Sequence, residues 1–429
     1  MADAASRLRS VAEQVLGVPL PVRLRAWDGS QAGPPDAPTL VVRNRRALRR
    51  ILFKPGELGL ARAWVAGDLD IEGDLYSALA AISGLIWERG EDGRTVLQAL
   101  RDPAVRAAVG ELLKLAGPPV PPAPPREEAR RRSHLHTRRS DKQSISHHYD
   151  VGNDFYELVL GPSMVYSCAY WEDDGSLEEA QRDKLELVCA KLGLTPGRRL
   201  LDVGCGWGSM AIHAAREHGV SVVGVTLSQE QAAYARKRVA DEGLTDRVEI
   251  RVQDYRDVRD GPYDAVSSIG MAEHVGAERY LEYAENLYGL LKPGGRLLNH
   301  QIARRPQRDE STYHVDRFID AYVFPDGELA PIGTTVTQLE RAGFEVRDVE
   351  SIREHYARTL RRWVVNLEAD WPRAMRLTSP GRARVWRLYM AASALAFEHN
   401  RIGVNQVLAV RTPESGASGL PLRTRTWNS

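Results

Sequence analysis

Arg199-Leu200-Leu201-Asp202-Val203-Gly204-Cys205-Gly206-Trp207-Gly208 decides the fold of this chain. The first five residues read as a mostly apolar strand. The glycines at alternate positions let the backbone turn tightly and approach a ligand, and Ser209–Glu217 reads as a helix whose N-terminus points at that ligand. A GxGxG run alone is weak, but the units that follow it strengthen it. Ser221–Leu227 is a strand, Gln229–Glu242 a helix, Val248–Val252 and Asp264–Ile269 strands, Tyr280–Leu291 a helix, and Arg296–Ile302 a fifth strand. Phe344–Ile352 and Asn405–Val410 supply two more. Seven strands with intervening helices predict a doubly wound α/β sheet. The segments Ala303–Pro331 and Tyr356–Arg401 break the alternation. They read as helical insertions over the carboxyl ends of the strands, where such sheets bind ligands.

The loop separates two cofactor classes. A nicotinamide site wants GxGxxG and an acid at the end of the second strand. Here that strand ends Gly224-Val225-Thr226-Leu227-Ser228, without an acid, and the glycine spacing is GxGxG. Both features point to S-adenosylmethionine, with Asp202 leading the loop. Asp254 and Tyr255 end the third strand, placed to meet an adenine amino group and ring; the lesser reading is a helix cap followed by a packing aromatic.

The chain has 429 residues, which suggests two domains plus connectors. We expect a smaller α+β N-terminal domain over 1–116, a linker over 117–143, the α/β domain over 144–411 and a disordered tail over 412–429. Gly117–Pro125 is too proline-rich for helix or central strand. The basic stretch after it contains Arg126, Arg130, Arg131, Arg132, Arg138, Arg139 and Lys142, and reads either as a solvated linker or as an arm for anionic headgroups. Val22–Trp27 and Thr39–Arg43 read as strands, and Ala78–Ile86 as a helix. Asn44–Lys54 reads as a basic amphipathic helix, suited to a membrane surface or to packing on its own domain. A net charge of +1 excludes a globally basic nucleic-acid binder. The three cysteines, Cys168, Cys189 and Cys205, make no disulfide framework and lack zinc-site spacing, so no metal is expected. No apolar run of about 18 residues and no secretory h-region is visible, which fits a cytoplasmic protein.

Four separated motifs then agree in order. Ser146-His147-His148-Tyr149-Asp150-Val151-Gly152-Asn153-Asp154-Phe155-Tyr156, Met164-Val165-Tyr166-Ser167-Cys168-Ala169-Tyr170-Trp171, Gly270-Met271-Ala272-Glu273-His274-Val275-Gly276 and Asn299-His300-Gln301-Ile302 resemble those of the cyclopropane-fatty-acyl-phospholipid synthases. Mycolic acid cyclopropane synthases and fatty acid methyltransferases are related to that family. The resemblance covers about Ser144 to Arg411. The N-terminal Gly56-Glu57-Leu58-Gly59-Leu60-Ala61 and Gly67-Asp68-Leu69 are similar to the family's small lipid-associated domain.

The resemblance implies S-adenosylmethionine contacts at Tyr149, Tyr166, Ser167, Gly204, Gly206, Thr226, Leu227, Gln231, Asp254, Tyr255 and Ile269. It implies a bicarbonate ion held by Glu273, His300 and Tyr356, with backbone groups of Cys168 and Ile302. The implied reaction adds a methylene unit across the cis double bond of an unsaturated phospholipid acyl chain at the inner face of the membrane. A methylene-branched product from the same cation is the alternative, and a homodimer is the implied assembly. Taken singly, Glu273 also reads as a salt-bridged helix residue, His300 as a satisfied core histidine and Tyr356 as a half-buried aromatic. Cys168 has no base beside it, so no covalent chemistry is expected. The acyl-chain cation needs dry aromatic surroundings, for which Tyr170, Trp171, Tyr313, Phe318, Tyr322 and Phe324 are candidates. The chain departs from the family's pattern at Ala272, Asn299 and Gln301, which bears on pocket shape. A methyltransferase for a small polar or phenolic acceptor, and a lipid-binding protein without activity, are the competing functions.

Overall fold

The computed structural model describes residues 3–90, 103–129, 151–173, 175–325 and 327–423. It forms two compact units. One comprises Met1–Arg130 with Asp316–Val323 and Ser379–Leu395; the other comprises Arg131–Val315, Phe324–Thr378 and Ala396–Ser429. Each of the two expected insertions is therefore divided between the units.

The first unit carries the strands β1 (Arg23–Arg25), β2 (Gln31–Ala32), β3 (Thr39–Val42) and β4 (Leu69–Glu72), in the order β2-β1-β3-β4. Helices Ala4–Leu16 and Pro103–Ala116 share a core with it through Ala5, Leu8, Leu24, Val42 and Leu115. The basic helix runs over Arg46–Phe53, and part of its charge turns inward. Arg50 Nε donates to the fully buried Asp68 at 2.9 Å, and Asn44 Nδ2 donates to the same carboxylate at 2.7 Å. Asp68 follows Gly67, whose φ of 72° ends helix Glu57–Val65 in a tight turn. The Gly67-Asp68 motif thus anchors a helix through a buried ion pair.

The second unit is built on β5 (Arg199–Val203), β6 (Ser221–Thr226), β7 (Val248–Val252), β8 (Tyr263–Ile269), β9 (Leu291–Arg304), β10 (Glu345–Ser351) and β11 (Ile402–Val410). Their order is β10-β11-β9-β8-β5-β6-β7. Pairs from β9 through β8, β5 and β6 to β7 are parallel, while β11 runs antiparallel to both β9 and β10. Successive side chains of a strand face opposite sides. Leu200 accordingly joins a core with Val188, Cys189 and Leu298, whereas Leu201 and Val203 join one with Val223, Tyr263 and Leu297. Strand β5 lies between β6 and β8, so the chain leaves it on one side and returns on the other. A crevice opens at that switch point beyond the strands' carboxyl ends.

Strand β9 is longer than the expected Arg296–Ile302 because it is paired along both edges, reaching β8 at Leu291 and β11 out to Arg304. Helix Leu177–Leu192 escaped the sequence reading, although Ser176 and Glu179 close a capping box at its start and Gly193 ends it at a φ of 63°. Residues 412–423 form no helix or strand; Leu420 nevertheless packs on the core, and Gly419 O accepts from Arg296 at 2.8 Å. Among the described residues no helix is long and apolar enough to cross a membrane.

Candidate active site

The loop after β5 floors a cavity of about 140 Å³ in the second unit. Gly204, Gly206 and Gly208 all adopt positive φ, at 76°, 54° and 82°. A Cβ on Gly206 would meet nothing within 4 Å, so the backbone there faces open space that a ligand can fill. Gly204 N and Cys205 N both donate to Val225 O, at 2.9 and 3.0 Å, which folds the loop back over β6.

Tyr166, Ser167, Asp202, Gly204, Gly206, Thr226, Leu227, Gln231, Asp254, Tyr255 and Ile269 all line this cavity. Tyr149 lies outside the described residues, as do Arg130, Arg131, Arg132, Arg138, Arg139 and Lys142. Thr226 Oγ1 donates to Gln231 Oε1 at 2.8 Å, leaving the Gln231 amide group as a donor where a nicotinamide site would carry an acid. Asp202 is buried; Ser267 donates to one of its oxygens at 2.7 Å, the other has no partner, and burial lifts its carboxyl pKa to about 6. Asp254 lines the cavity and is also a cap. Its carboxylate is taken up by Arg256, through Nη2 at 2.6 Å and Nε at 2.9 Å, and it caps the short turn Tyr255–Asp257. Tyr255 meets Tyr283 edge-on at 5.6 Å. Both the packing role and the cavity-lining role of this pair are present together.

Sequence reading missed Lys184 and Gln181, which hold the Ser167 segment. Gln181 Nε2 donates to Ser167 O and Lys184 Nζ to Ser167 Oγ, each at 3.0 Å. Lys184 is fully buried, which lowers its ammonium pKa to about 8. Their spacing of three along one helix was the available signal, once Leu177–Leu192 was known to be a helix.

Of the five residues expected at a bicarbonate site, Glu273 and Ile302 touch. Glu273 Oε1 accepts the Ile302 N–H at 2.8 Å, while its Oε2 is buried without a partner. Burial raises the Glu273 carboxyl pKa to about 7. His300 shares the Ile302 face of β9; burial holds its imidazole well below the usual range, and its Nδ1 faces Gln406 Nε2 at 3.4 Å. Cys168 donates its thiol hydrogen to Ala169 O at 3.2 Å, and burial raises its pKa, so the sulfur is a neutral packing group. Tyr356 lies in the first turn of helix Arg353–Ala369. The donor chemistry fits an anion: a protonated Glu273 carboxyl and a neutral imidazole both offer hydrogens. The Ile302 N–H, by contrast, is spent on Glu273 itself.

Ala272 and Gln301 line a small cavity with Glu273 and Ile302. Asn299 shares the Gln301 face of β9, accepting from Tyr283 and donating to Gln301, and Gln301 Nε2 donates to Thr335 at 2.8 Å. None of Tyr170, Trp171, Tyr313, Phe318, Tyr322 or Phe324 lines the cofactor cavity. Tyr170 stacks on His355 at 4.7 Å, Tyr313 covers Arg304 at 4.0 Å, and Phe318 and Tyr322 belong to the first unit. A different aromatic run leads from the cavity. Tyr166 meets Trp363 at 5.4 Å, Trp363 meets Tyr356 at 6.0 Å, and Tyr356 meets Phe397 at 4.8 Å. Trp363 is fully buried and its indole Nε1 has no partner. The i, i+7 spacing of Tyr356 and Trp363 was the sequence signal for it.

A family model described as mycolic acid cyclopropane synthetase matches residues 136–407. A probable fatty acid methyltransferase of Mycobacterium tuberculosis is 46% identical over 94% of this chain and 94% of its own. The cyclopropane-fatty-acyl-phospholipid synthase of Escherichia coli is 41% identical over 63% of this chain and 68% of its own. The structure of the mycolic acid cyclopropane synthase CmaA1 with SAH and CTAB superimposes with a TM-score of 0.60 at 34% identity, covering 65% of this chain and all of that one.

Proposed function

The chain belongs to the mycolic acid cyclopropane synthetase family and is an S-adenosylmethionine-dependent methyltransferase, and from that premise we propose that it methylates the cis double bond of an unsaturated phospholipid acyl chain. Loss of one proton then closes a cyclopropane ring. The observation that carries this reading is the aromatic run Tyr166–Trp363–Tyr356–Phe397. An alkene needs no base to activate it. It needs an enclosed wall that tolerates a cation without attacking it.

Bound S-adenosylmethionine supplies an electrophilic methyl group. The chain's part is to hold it: Gly204 and Gly206 admit it against the backbone, Thr226 and Gln231 offer polar contacts, and Tyr255 a ring face. Bicarbonate would supply a proton acceptor, held by Glu273, His300 and Tyr356 with the backbone of Cys168, while the Ile302 N–H fixes the Glu273 carboxyl. The unpartnered Glu273 Oε2 supports that assignment. Tyr166 and Trp363 keep water from the reacting carbon and spread the developing charge.

A methylene-branched product is a second reading, favoured by the likeness over nearly the whole chain to a fatty acid methyltransferase. Both products lose a proton from the transferred methyl group. Direct loss closes the ring, whereas the methylene branch requires that a hydride first shift from the methylated carbon to the neighbouring cationic carbon. The first unit is read as the part that docks on anionic membrane, through the exposed Arg45, Phe53 and Lys54. The working location is then the inner membrane face, and a homodimer is the assembly this reading expects. Incubation with labelled S-adenosylmethionine and vesicles of oleoyl phospholipid tests the proposal: label should enter the acyl chains. Label confined to a small soluble acceptor would point to the competing small-molecule activity.

A further inference from the structure

Four side chains that the methyl-transfer site does not use converge between helix Leu177–Leu192 and helix Ser209–His218. The Cys189 thiol and the imidazoles of His213 and His218 each offer a ligand atom, and these three atoms lie within 4.8 Å of one another. Glu186 Oε2 stands 3.2 Å from His213 Nε2 and 3.0 Å from His218 Nε2. Glu186 and Cys189 are three apart on one helix and so share a face. Among the described residues Cys189, His213 and His218 are the one group of three or more such donors with metal-binding spacing, and Glu186 joins them through the two histidines.

We propose that Cys189, His213, His218 and Glu186 form a binding site for a zinc-class divalent cation. One thiolate, two imidazoles and one carboxylate are a tetrahedral donor set of the kind zinc takes, and four protein ligands leave no open position, as in a structural site. Zinc binds nitrogen at about 2.0–2.1 Å and sulfur at about 2.3 Å, so neighbouring ligand atoms must close to about 3.5 Å. Two of the groups can make that movement. Glu186 has a side chain 52% exposed, and His218 is the last residue of its helix, followed by Gly219 in left-handed geometry. Without a cation, burial raises the Cys189 thiol pKa and lowers that of the His213 imidazole, so both are neutral. Binding replaces the thiol proton by the metal, forming one S–M bond and releasing one proton to solvent, with no change of oxidation state.

The placement gives the cation a consequence. Helix Ser209–His218 starts at the cofactor loop, and helix Leu177–Leu192 holds Ser167 through Gln181 and Lys184. A cation at their far ends clamps together the two helices that frame the cofactor cavity, and stabilises the folded unit by mass action.

Dialysis of the full chain against zinc, followed by metal analysis, should find about one zinc per chain. Cobalt substituted for zinc should show a thiolate-to-cobalt charge-transfer band. Cys189→Ser should abolish the band, and His218→Ala should weaken zinc binding by about tenfold or more while leaving S-adenosylmethionine affinity unchanged. His218 is only half-buried, so this variant decides the matter if Cys189→Ser does not fold. Substoichiometric zinc, no charge-transfer band, or unaltered affinity in His218→Ala would overturn the proposal and leave a Glu186–histidine ion pair only.

Discussion

Glu273 Oε1 accepts the Ile302 backbone N–H at 2.8 Å, joining the short turn after β8 to the carboxyl end of β9, while Glu273 Oε2 stays buried and unpartnered. The same carboxyl is pushed up to about 7 by burial. Its position and its protonation are therefore set together, and the first two predictions rest on that.

Glu273→Gln keeps the shape of the side chain and removes its titration. Turnover should fall by about 100-fold or more, the scale of a lost proton-handling group. S-adenosylmethionine affinity, measured by calorimetry, should change little, because Glu273 does not line the cofactor cavity. Near-normal turnover would remove Glu273 from the reaction. In carbonate-free buffer the unaltered chain should also slow, and added bicarbonate should restore it.

Stability should respond to pH through the same group. A carboxyl raised from 4.5 to about 7 on folding binds more protons in the folded state. Its contribution is therefore full below about pH 4.5 and is lost as pH rises through about 7. Asp202, raised from 3.8 to about 6, acts in the same direction. Urea midpoints from pH 4.5 to 8 should show a downward component in the unaltered chain that is smaller in Glu273→Gln. Equal slopes would contradict the burial of a protonated carboxyl.

Gly206→Ala separates folding from cofactor binding. The new Cβ meets no protein atom within 4 Å, so the fold should lose only the about 1–2 kcal/mol of a left-handed backbone, read from thermal or urea unfolding. The methyl group would point into the space assigned to the cofactor. S-adenosylmethionine affinity should fall by at least about tenfold, or about 1.4 kcal/mol.

Trp363→Phe tests the aromatic run. Phenyl retains most of the packing but is a weaker cation partner than indole. Turnover should fall by about five- to tenfold, equivalent to about 1 kcal/mol, with cofactor affinity unchanged. A loss of affinity equal to the loss of turnover would make Trp363 a packing residue alone.

Deleting the N-terminal segment is a poor test of membrane docking, since the first unit also contains Asp316–Val323 and Ser379–Leu395. Reversing the charge of Arg45 and Lys54 spares the buried Arg50–Asp68 pair. Binding to anionic vesicles in sedimentation should weaken by about tenfold or more, at about 1 kcal/mol per basic residue, with activity on detergent-dispersed substrate retained.

The parallel strands were legible because each is a short apolar run bounded by glycine or polar residues, and the glycine loop announced itself through its spacing. Every described residue expected at the cofactor lines the cavity. Two kinds of feature were hidden. Helix Leu177–Leu192 buries Gln181, Lys184 and Lys191, so its inward face carries no clean apolar stripe. The aromatic wall joins Tyr356 and Trp363, seven apart on one helix, to Tyr166 and Phe397, which are distant in sequence and meet them only in the fold. Of the aromatics proposed from sequence, Tyr170 and Trp171 sit in a motif yet do not line the cofactor cavity, because a motif does not state which way a side chain faces.

The most direct test of the central claim is to identify the fatty acids after incubating the protein with S-adenosylmethionine and vesicles of oleoyl phospholipid. Acyl chains heavier by one methylene unit should appear and co-elute with a cyclopropane standard. Heavier chains that co-elute with a methylene-branched standard would establish the second reading in its place. Acyl chains of unchanged mass, with methyl groups delivered elsewhere, would contradict the account.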